Sequence, residues 1–315
     1  MKEFSGFIFS TIVVVCSFIV LDFIIGKALD ALLDKVPNNG SEIAHIHYSV
    51  KQVESPLLIL GSSRAHHHYL PEVIGDSLRT DAYNLGVDGH FLSYNCALIN
   101  TILDRYTPQA VMFEISLNEM FEYRTETDRT SSLHRYYYLN SHIKRVVDAK
   151  EGASTKYKML LNTYRFNGSA IRIVSRWIRG GQDYDPLKGL SPLYTSQGSD
   201  VKLEVEHLPD KSMTTIVDYR VQLFENTLKR LKEQGVTVFC FDSPLYHILN
   251  PEMNTESERI MMEICSKYDI PFFDNRQRPE FLNHPEYFYD TGHLDYEGAK
   301  VYTDLVLKEI RSVGR

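Results

Sequence analysis

A long apolar run opens the chain. Residues 7–26 read FIFSTIVVVCSFIVLDFIIG, in which Asp22 is the one charged residue. A membrane-spanning helix needs roughly 20 such residues, whereas the apolar core of a cleaved signal is only about 7–15 residues long. A buried core helix is the alternative, but such a helix rarely lacks polar positions along its whole length. The pattern therefore predicts an uncleaved membrane anchor over 1–30, with lysines on both sides that do not decide its orientation.

A polar segment over 31–55 is predicted to be a linker, and beyond it short apolar runs alternate with helical patterns. Five runs are typical of buried strands, and they cover 56–61, 83–87, 110–115, 236–241 and 271–274. Helical patterns cover 92–105, 215–234, 256–268 and 297–313. Strands separated by helices of this length indicate a parallel sheet covered on both faces. We therefore expect a three-layer α/β/α domain over 56–315.

The segment 121–212 breaks this rhythm. It contains two helical patterns, over 141–150 and 157–178, followed by a stretch rich in Gly, Ser and Pro. We interpret it as a large insertion between the third strand and the next crossover helix, integrated into the same domain.

Composition narrows the class of protein. The 315 residues include 34 Lys and Arg against 41 Asp and Glu, a net charge of −7, whereas a nucleic-acid-binding protein is expected to carry a basic excess. The four cysteines show neither CxxC spacing nor a histidine at zinc-finger distance. His66, His67 and His68 suggest a metal site, but consecutive side chains point in different directions and no carboxylate or cysteine cluster accompanies them. We expect no nucleic-acid partner, no metal and no cofactor.

Candidate chemistry follows the strands. In a parallel sheet ligands bind at the carboxyl ends of the strands, and there the sequence places Ser63, Gly89 and Asn118, with Asp290 and His293 just before the last helix. A serine hydroxyl is a weak nucleophile that needs a base within hydrogen-bond reach. His293 is predicted to be that base, and Asp290 to orient it as the third member of a catalytic triad.

An attacked ester carbonyl also needs donors for its developing negative charge. The backbone N–H groups of Ser63 and Gly89 and the side-chain amide of Asn118 are the predicted oxyanion hole, with Gly86 as a weaker alternative to Gly89. Each residue has a simpler interpretation, because serine caps helices, asparagine binds loop backbone and glycine serves turns. The Asp290–His293 pair could likewise belong to the first turn of a helix. Their joint occurrence, in order, at predicted strand ends favours catalysis.

These four blocks resemble those of the SGNH/GDSL hydrolase superfamily, over about 56–312. The second block of that family, N-x-G-x-x-G, and the fourth, D-x-x-H, are both matched. The first block departs from G-D-S, because Ser62 stands where the family has Asp, and the third departs from G-x-N-D at both ends. The residues of the four blocks are Gly61-Ser62-Ser63, then Asn84, Gly86 and Gly89, then Ser116-Leu117-Asn118-Glu119, and finally Asp290 and His293.

The resemblance implies a flavodoxin-like SGNH hydrolase fold and a Ser-His-Asp enzyme that acts on ester bonds. The departures at Ser62 and Glu119 make the chain similar to membrane-anchored branches of the D-alanine transfer and alginate O-acetylation type. The resemblance then implies an extracytoplasmic domain, periplasmic or at the cell surface, that acts as a serine esterase or O-acyltransferase on an acylated envelope polysaccharide, a related glycan or a small ester. A multi-pass membrane O-acyltransferase is the implied partner.

Two further points are open at the level of sequence. Arg64, His66 and Asp242 lie at the predicted edge of the sheet and are candidate substrate-binding residues. The altered first and third blocks also allow a different class of protein, a non-catalytic assembly or binding protein of a polysaccharide export system with a degenerate SGNH site. Hydrolysis and transfer differ only in which acceptor reaches the acyl-enzyme, and the sequence does not distinguish them.

Overall fold

A five-stranded parallel sheet forms the centre of the protein in a computed structural model, which describes residues 2–152, 154–181, 184–194, 202, 204–205, 215–248 and 255–313. From one edge to the other, the strands are β2 (Ala82–Asn84), β1 (Leu57–Leu60), β3 (Ala110–Glu114), β5 (Thr237–Asp242) and β7 (Phe272–Asp274). Because β2 lies on one side of β1 and the later strands lie on the other side, the sheet is doubly wound, with the change of direction at β1. The strands of the described residues are β1 (Leu57–Leu60), β2 (Ala82–Asn84), β3 (Ala110–Glu114), β4 (Glu204–Val205), β5 (Thr237–Asp242), β6 (His247–Ile248), β7 (Phe272–Asp274), β8 (Phe288–Asp290) and β9 (His293–Leu294).

The α/β class and the five predicted strands are confirmed. Parallel pairing aligns Leu58 of β1 with Tyr83 of β2 and with Val111 of β3. Each strand is an apolar run because both faces of the sheet are covered by helices. The small strands lie outside this sheet, with β4 parallel to β6 and β8 antiparallel to β9.

Helices occupy most of the remaining described chain. They are α1 (Lys2–Leu33), α2 (Glu42–Lys51), α3 (Ser63–His68), α4 (Pro71–Leu78), α5 (Leu92–Leu103), α6 (Glu122–Thr127), α7 (Ser141–Glu151), α8 (Thr155–Lys158), α9 (Asn162–Arg165), α10 (Ala170–Arg179), α11 (Asp218–Glu233), α12 (Thr255–Lys267), α13 (Pro279–Leu282) and α14 (Tyr296–Val313), with short 3₁₀ helices at Thr130–Tyr136 and Pro285–Tyr287.

The two faces of the sheet bury separate hydrophobic clusters, because successive side chains of a strand point to opposite faces. Leu58 and Leu60 face the larger cluster, which is covered by α2, α5, α7, α11 and α12. Leu57 and Ile59 face the other cluster, which is covered by α3, α4, α13 and α14. The result is helices on both sides of the sheet.

Helix α1 is long and apolar enough to cross a membrane over Phe4–Leu33. Most of its large apolar side chains are exposed, as they would be if lipid surrounded them. Only its last turns pack against the rest of the protein, where Leu29 and Leu33 join a small cluster with Ile43, Phe166 and Ile173.

The predicted linker over 31–55 is corrected by the structure, which places α2 within it. Ile46, Val50 and Val53 of this segment are buried in the larger cluster under the sheet. These residues recur at the spacing of one helix face, so a helical pattern was present but short. The turn over 34–40 is all that remains of a connection between α1 and the folded domain.

The predicted helix over 157–178 is also corrected, because the structure breaks it into α8, α9 and α10. Gly168 adopts φ +75° between α9 and α10, a left-handed conformation that ends a helical run. Of the predicted insertion over 121–212, residues 153, 182–183, 195–201, 203 and 206–212 lie outside the described residues.

Candidate active site

Ser63, His293 and Asp290 come together at the carboxyl edge of the sheet. Ser63 is the first residue of α3, directly after β1, and its Oγ lies 2.7 Å from Nε2 of His293. The small β8–β9 hairpin carries the other two residues, and Nδ1 of His293 lies 2.9 and 3.0 Å from the carboxylate oxygens of Asp290. The predicted triad residues therefore form one continuous hydrogen-bonded chain.

The charge of Asp290 fixes the direction of these hydrogen bonds. Partial burial of this carboxyl opposes ionisation, but hydrogen bonds from His293 and from the N–H of Gly292, at 2.8 Å, outweigh it and lower the pKa of Asp290. An ionised carboxylate accepts, so Nδ1–H of His293 donates to it. Nε2 then carries the lone pair, and the Ser63 hydroxyl donates to it.

His68 holds the hairpin from below, and sequence reasoning did not assign it this position. The N–H of Leu294, the residue after His293, donates to Nε2 of His68 at 2.9 Å. Nδ1–H therefore donates to Oγ of Ser243, at 2.9 Å. Burial, followed by the neighbouring His293, lowers the pKa of His68 well below its usual value, so the ring is neutral. In the sequence, the one feature that pointed to this position was the closeness of His68 to Ser63, within the same short helix.

The structure separates the two glycines that compete for the oxyanion hole. The N–H of Gly86 donates to Oδ1 of Asn84 at 2.9 Å, and a Cβ on Gly86 would lie 2.4 Å from the backbone N of His66. Gly89 has φ +74°, and its N–H has no acceptor among the described residues. The N–H of Ser63, at the start of a helix, also lacks an intrahelical acceptor. Gly89 and Ser63 thus retain free donors.

Asn118 is held by a residue that the sequence analysis did not single out. Its Oδ1 accepts from Nε of Arg124 at 2.9 Å, and the Arg124 guanidinium stacks over the ring of Phe91 at 4.8 Å. With the amide oxygen engaged, the NH₂ group of Asn118 remains the donor. Neither Asn118 nor Gly89 hydrogen-bonds Ser63 within the described part of the chain, and both lie on the loops that follow the strands flanking β1.

Arg64 and Asp242, two of the candidate substrate-binding residues, are bonded to each other and to further groups of the protein. Both are buried, and Nη1 of Arg64 lies 2.5 Å from Oδ1 of Asp242. Nε of Arg64 lies 3.3 Å from Oε1 of Glu114, and Nη2 bonds Oγ of Ser116. Burial opposes the charge of Arg64, but the two carboxylates outweigh it and raise its pKa. This ion-pair network joins α3 to the ends of β3 and β5.

Glu119, the departure in the third block, is likewise structural. It is buried, and its carboxylate lies 2.6 Å from Nη2 of Arg220, a side chain with no exposed surface. The N–H of Leu92 donates to the same carboxylate oxygen at 3.2 Å. Glu119 therefore joins the loop after β3 to helices α5 and α11.

His66 belongs to a group of three residues that could hold a metal ion, together with His67 and Asp88. Nδ1 of His66 and Nε2 of His67 lie 2.8 and 3.1 Å from the same oxygen of Asp88, and the three residues present ligand atoms within 4.8 Å of one another. Nδ1 of His67 also contacts the carbonyl oxygen of Ser191 at 2.5 Å, as the second nitrogen of a metal-binding histidine commonly does. Two consecutive histidines thus meet one carboxylate, which the sequence argument against a metal did not foresee.

The fold and the site together define a doubly wound α/β protein with a Ser-His-Asp arrangement at the edge where such sheets bind ligands. No protein-family model matches the chain. A search of curated proteins also finds no match. The class of protein therefore rests on the geometry and on the four sequence blocks.

Proposed function

We propose that the protein is a membrane-anchored serine esterase or O-acyltransferase of the SGNH type. The observation that carries this proposal is the chain of hydrogen bonds from Ser63 through His293 to Asp290. The doubly wound strand order supports the SGNH fold, and the free N–H of Gly89 and NH₂ of Asn118 support the oxyanion hole.

The reaction follows from the direction of those hydrogen bonds. Nε2 of His293 removes the proton from Ser63 as Oγ attacks the ester carbonyl, and Asp290 stabilises the resulting imidazolium. The negative charge on the carbonyl oxygen is met by the N–H groups of Ser63 and Gly89 and by the amide of Asn118. His293 then returns the proton to the leaving alcohol, and Ser63 carries the acyl group. Water or a sugar hydroxyl removes it in the second half of the reaction.

Contacts between α1 and the segment around α9 support an anchor that stays with the folded domain. Asp22, near the end of the apolar run, is buried, and its carboxylate accepts from the N–H groups of Asn162 and Thr163 at 2.7 and 2.9 Å. Ile173 of α10 packs against the last turns of α1. A cleaved signal would remove these contacts, so they favour an uncleaved helix.

Helix α10 has the distribution of side chains that suits a membrane surface. Consecutive helical residues lie about 100° apart, so Ile171, Val174 and Ile178 share one face. Arg172 and Arg176 lie on the opposite face, whereas Arg179 lines the same groove as the apolar side chains. Ile171 is 86% exposed, Ile178 70% and Trp177 46%. Exposed aliphatic and Trp side chains opposite arginines are typical of interfacial helices. We place α10 at the lipid headgroups beside α1, whereas the extracytoplasmic side and a multi-pass O-acyltransferase partner rest on the resemblance.

Hydrolysis of an aryl acetate by the full chain in detergent tests the reaction. Ser63→Ala should lower turnover at least about a thousandfold, as loss of a triad nucleophile does. Ser62→Ala is the matched control, because this neighbouring hydroxyl has no contact with His293, and it should keep most of the activity. Equal turnover of wild type and Ser63→Ala would instead favour the non-catalytic assembly or binding protein.

A further inference from the structure

A cavity lies between the active-site loops and the anchor, and positively charged side chains line it. Its volume is about 250 Å³, and Glu42 is the one carboxylate among the described residues that line it. Four arginines line the same cavity: Arg129, Arg135, Arg165 and Arg172. None of them belongs to the chemistry assigned to Ser63.

Arg135 is the residue that makes this cavity unusual. Arg135 is only 7% exposed, yet its Nε and Nη1 atoms have no hydrogen-bond partner among the described residues. The guanidinium lies 5.2 Å from the ring of Tyr136, and within the described chain no carboxylate pairs with it. A buried charge without a counter-ion is strongly destabilising, so native proteins pair such groups with a carboxylate or with a bound anion.

The other arginines leave the positive charge of the cavity uncompensated. Glu42 pairs with Nη1 of Arg172 at 3.2 Å. For Arg129 and Arg165 the described residues show no ion pair, and Nε of Arg165 is also buried without a partner. Arg129 is exposed, and Nη2 of Arg165 donates to Oδ1 of Asn162. Arg135 is thus the one of these three arginines that is both buried and without a counter-ion among the described residues. A phosphate group, with up to two negative charges and several acceptor oxygens, fits this set better than a single carboxylate.

The position of the cavity connects the site and the membrane. At Gly89, the candidate oxyanion donor, a Cβ would lie 2.8 Å from Nε of Arg129, so the arginine side chain rests against that loop. On the opposite side the cavity is lined by Arg165 and by the connection to α10, the two elements that pack against α1. A molecule whose headgroup entered the cavity would lie beside both the bilayer and the oxyanion loop.

We propose that this cavity is a binding site for a phosphate group, with Arg135 as its central ligand. The volume is slightly below the roughly 300–1,000 Å³ of sites for drug-sized molecules, which suits a headgroup or a small phosphate ester. The site goes beyond the proposed esterase reaction, and its occupancy is measured without turnover. Failure of one proposal is therefore distinguishable from failure of the other.

Titration of inorganic phosphate into the full chain in dodecyl maltoside, a detergent without phosphate, tests the site. At constant ionic strength, wild type should show saturable binding by calorimetry and a rise in Tm. Arg135→Gln should weaken binding by about ten- to a hundredfold, the effect of losing charge-assisted hydrogen bonds. Arg176→Gln, an arginine of α10 that does not line this cavity, is the matched control and should bind as wild type does.

Folding of the variant is checked by the same measurement. Without phosphate, Arg135→Gln should melt at or above the wild-type Tm, because the substitution removes an uncompensated buried charge. A Tm well below that of wild type in phosphate-free buffer would show that Arg135 has a structural partner and would overturn the proposal.

Two further arms identify the source of the phosphate. Phosphatidic acid added to the dodecyl maltoside micelles should raise the Tm of wild type but not of Arg135→Gln if a lipid headgroup occupies the cavity. Glycerol 3-phosphate in the same micelles without lipid should do so if the ligand is soluble. Either result supports a phosphate site. No selective effect of any phosphate probe, or an equal effect of acetate at the same concentration, would overturn it.

Discussion

Arg64 and Arg135 are both buried arginines, and they differ in what neutralises them. Arg64 lies at the sheet edge between Asp242 and Glu114, with hydrogen bonds from Nη1 and Nη2 and an ion pair from Nε. Arg135 lies beside a cavity in the segment between β3 and α11, and two of its nitrogens have no partner among the described residues. The same side chain therefore serves two regions of the molecule in different ways.

The difference between Arg64 and Arg135 distinguishes an arginine that stabilises the fold from one that can bind a ligand. A buried charge whose partners all belong to the protein fixes the relative positions of the elements that carry them, as Arg64 does for α3, β3 and β5. A buried charge that lacks a partner leaves interaction capacity for something outside the chain. By this criterion Arg64 stabilises the sheet edge, whereas Arg135 is available to bind the anion that we propose for the cavity.

The largest expected effect is on stability and would break the comparison directly. Arg64→Met should lower the free energy of unfolding by about 3–5 kcal/mol, because it leaves Glu114 buried without a counter-ion and Asp242 with Arg276 alone, 3.7 Å away. Arg135→Met should leave it unchanged or raise it. Denaturant unfolding of both variants in one detergent, followed by circular dichroism, measures the difference. Equal destabilisation by the two substitutions would show that both arginines are structural.

A somewhat smaller effect concerns the chemistry at the sheet edge. Asn118→Ala should lower turnover of an aryl acetate about a hundred- to a thousandfold, as the loss of one oxyanion donor does. The melting temperature should hardly change, because the side chain is partly exposed. Arg176→Gln, a variant outside the site and the cavity, is the control and should keep wild-type turnover. A loss of stability with unchanged turnover per folded molecule would make Asn118 a structural residue.

His47 sharpens the comparison because it is a buried basic group that stays neutral. Burial lowers its pKa to about 4; Arg135 and Lys51 act in the same direction and Asp34 in the opposite one, while its Nδ1 contacts the Tyr136 hydroxyl. Between about pH 6.5 and 4 the unfolded chain binds a proton that the folded chain does not, so stability falls as the pH decreases. We expect a loss on the order of 2 kcal/mol across that range.

Unfolding measured as a function of pH tests this expectation, and His47→Gln should flatten the slope. Phosphate bound beside Arg135 would offset the repulsion on His47, raise the pKa of the folded-state ring towards its unfolded value and so reduce the loss of stability on acidification. A pH dependence that is identical in wild type and His47→Gln would contradict the account.

The smallest effect is spectroscopic and concerns α10. Trp177 is the chain's single tryptophan, so its emission reports this helix alone. In vesicles that contain brominated phosphatidylcholine the emission should be quenched and shifted to shorter wavelength, because an interfacial helix buries its apolar face at the acyl boundary. Quenching by aqueous acrylamide but not by bromolipid would remove α10 from the bilayer and favour a protein partner on this face.

Much of the fold could be predicted because strands buried on both faces are continuous apolar runs bounded by turn residues. The run over 56–61 and β1 differ by one residue at each end, and the predicted last helix begins one residue after α14 does and ends with it. Helix α2 could not be predicted from the sequence, because a ten-residue helix between two polar stretches gives a weak pattern. The break at Gly168 was missed because the flanking residues favour a helix.

The candidate site also has a part that could be predicted from the sequence and a part that could not. Ser63, Asp290 and His293 could be predicted because the ends of parallel strands converge and the residue types suit one reaction. The environments of Arg64 and Asp242 could not, because whether a charged side chain points outward or into an ion pair depends on partners distant in sequence, such as Glu114. Arg135 gave no signal for the same reason: the absence of a partner exists only in three dimensions.

The most direct test of the account is the mass of Ser63 after reaction with an activated acetyl ester. The full chain in detergent is exposed briefly to the ester, quenched in acid and digested, and the peptide that contains Ser62 and Ser63 is fragmented. We predict a gain of one acetyl group located on Ser63, present in wild type and Ser62→Ala and absent in His293→Ala. Acetylation on Ser62, or a wild-type chain that gains no acetyl group while Ser63 remains hydrogen-bonded to His293, would contradict the assignment of Ser63 as the nucleophile.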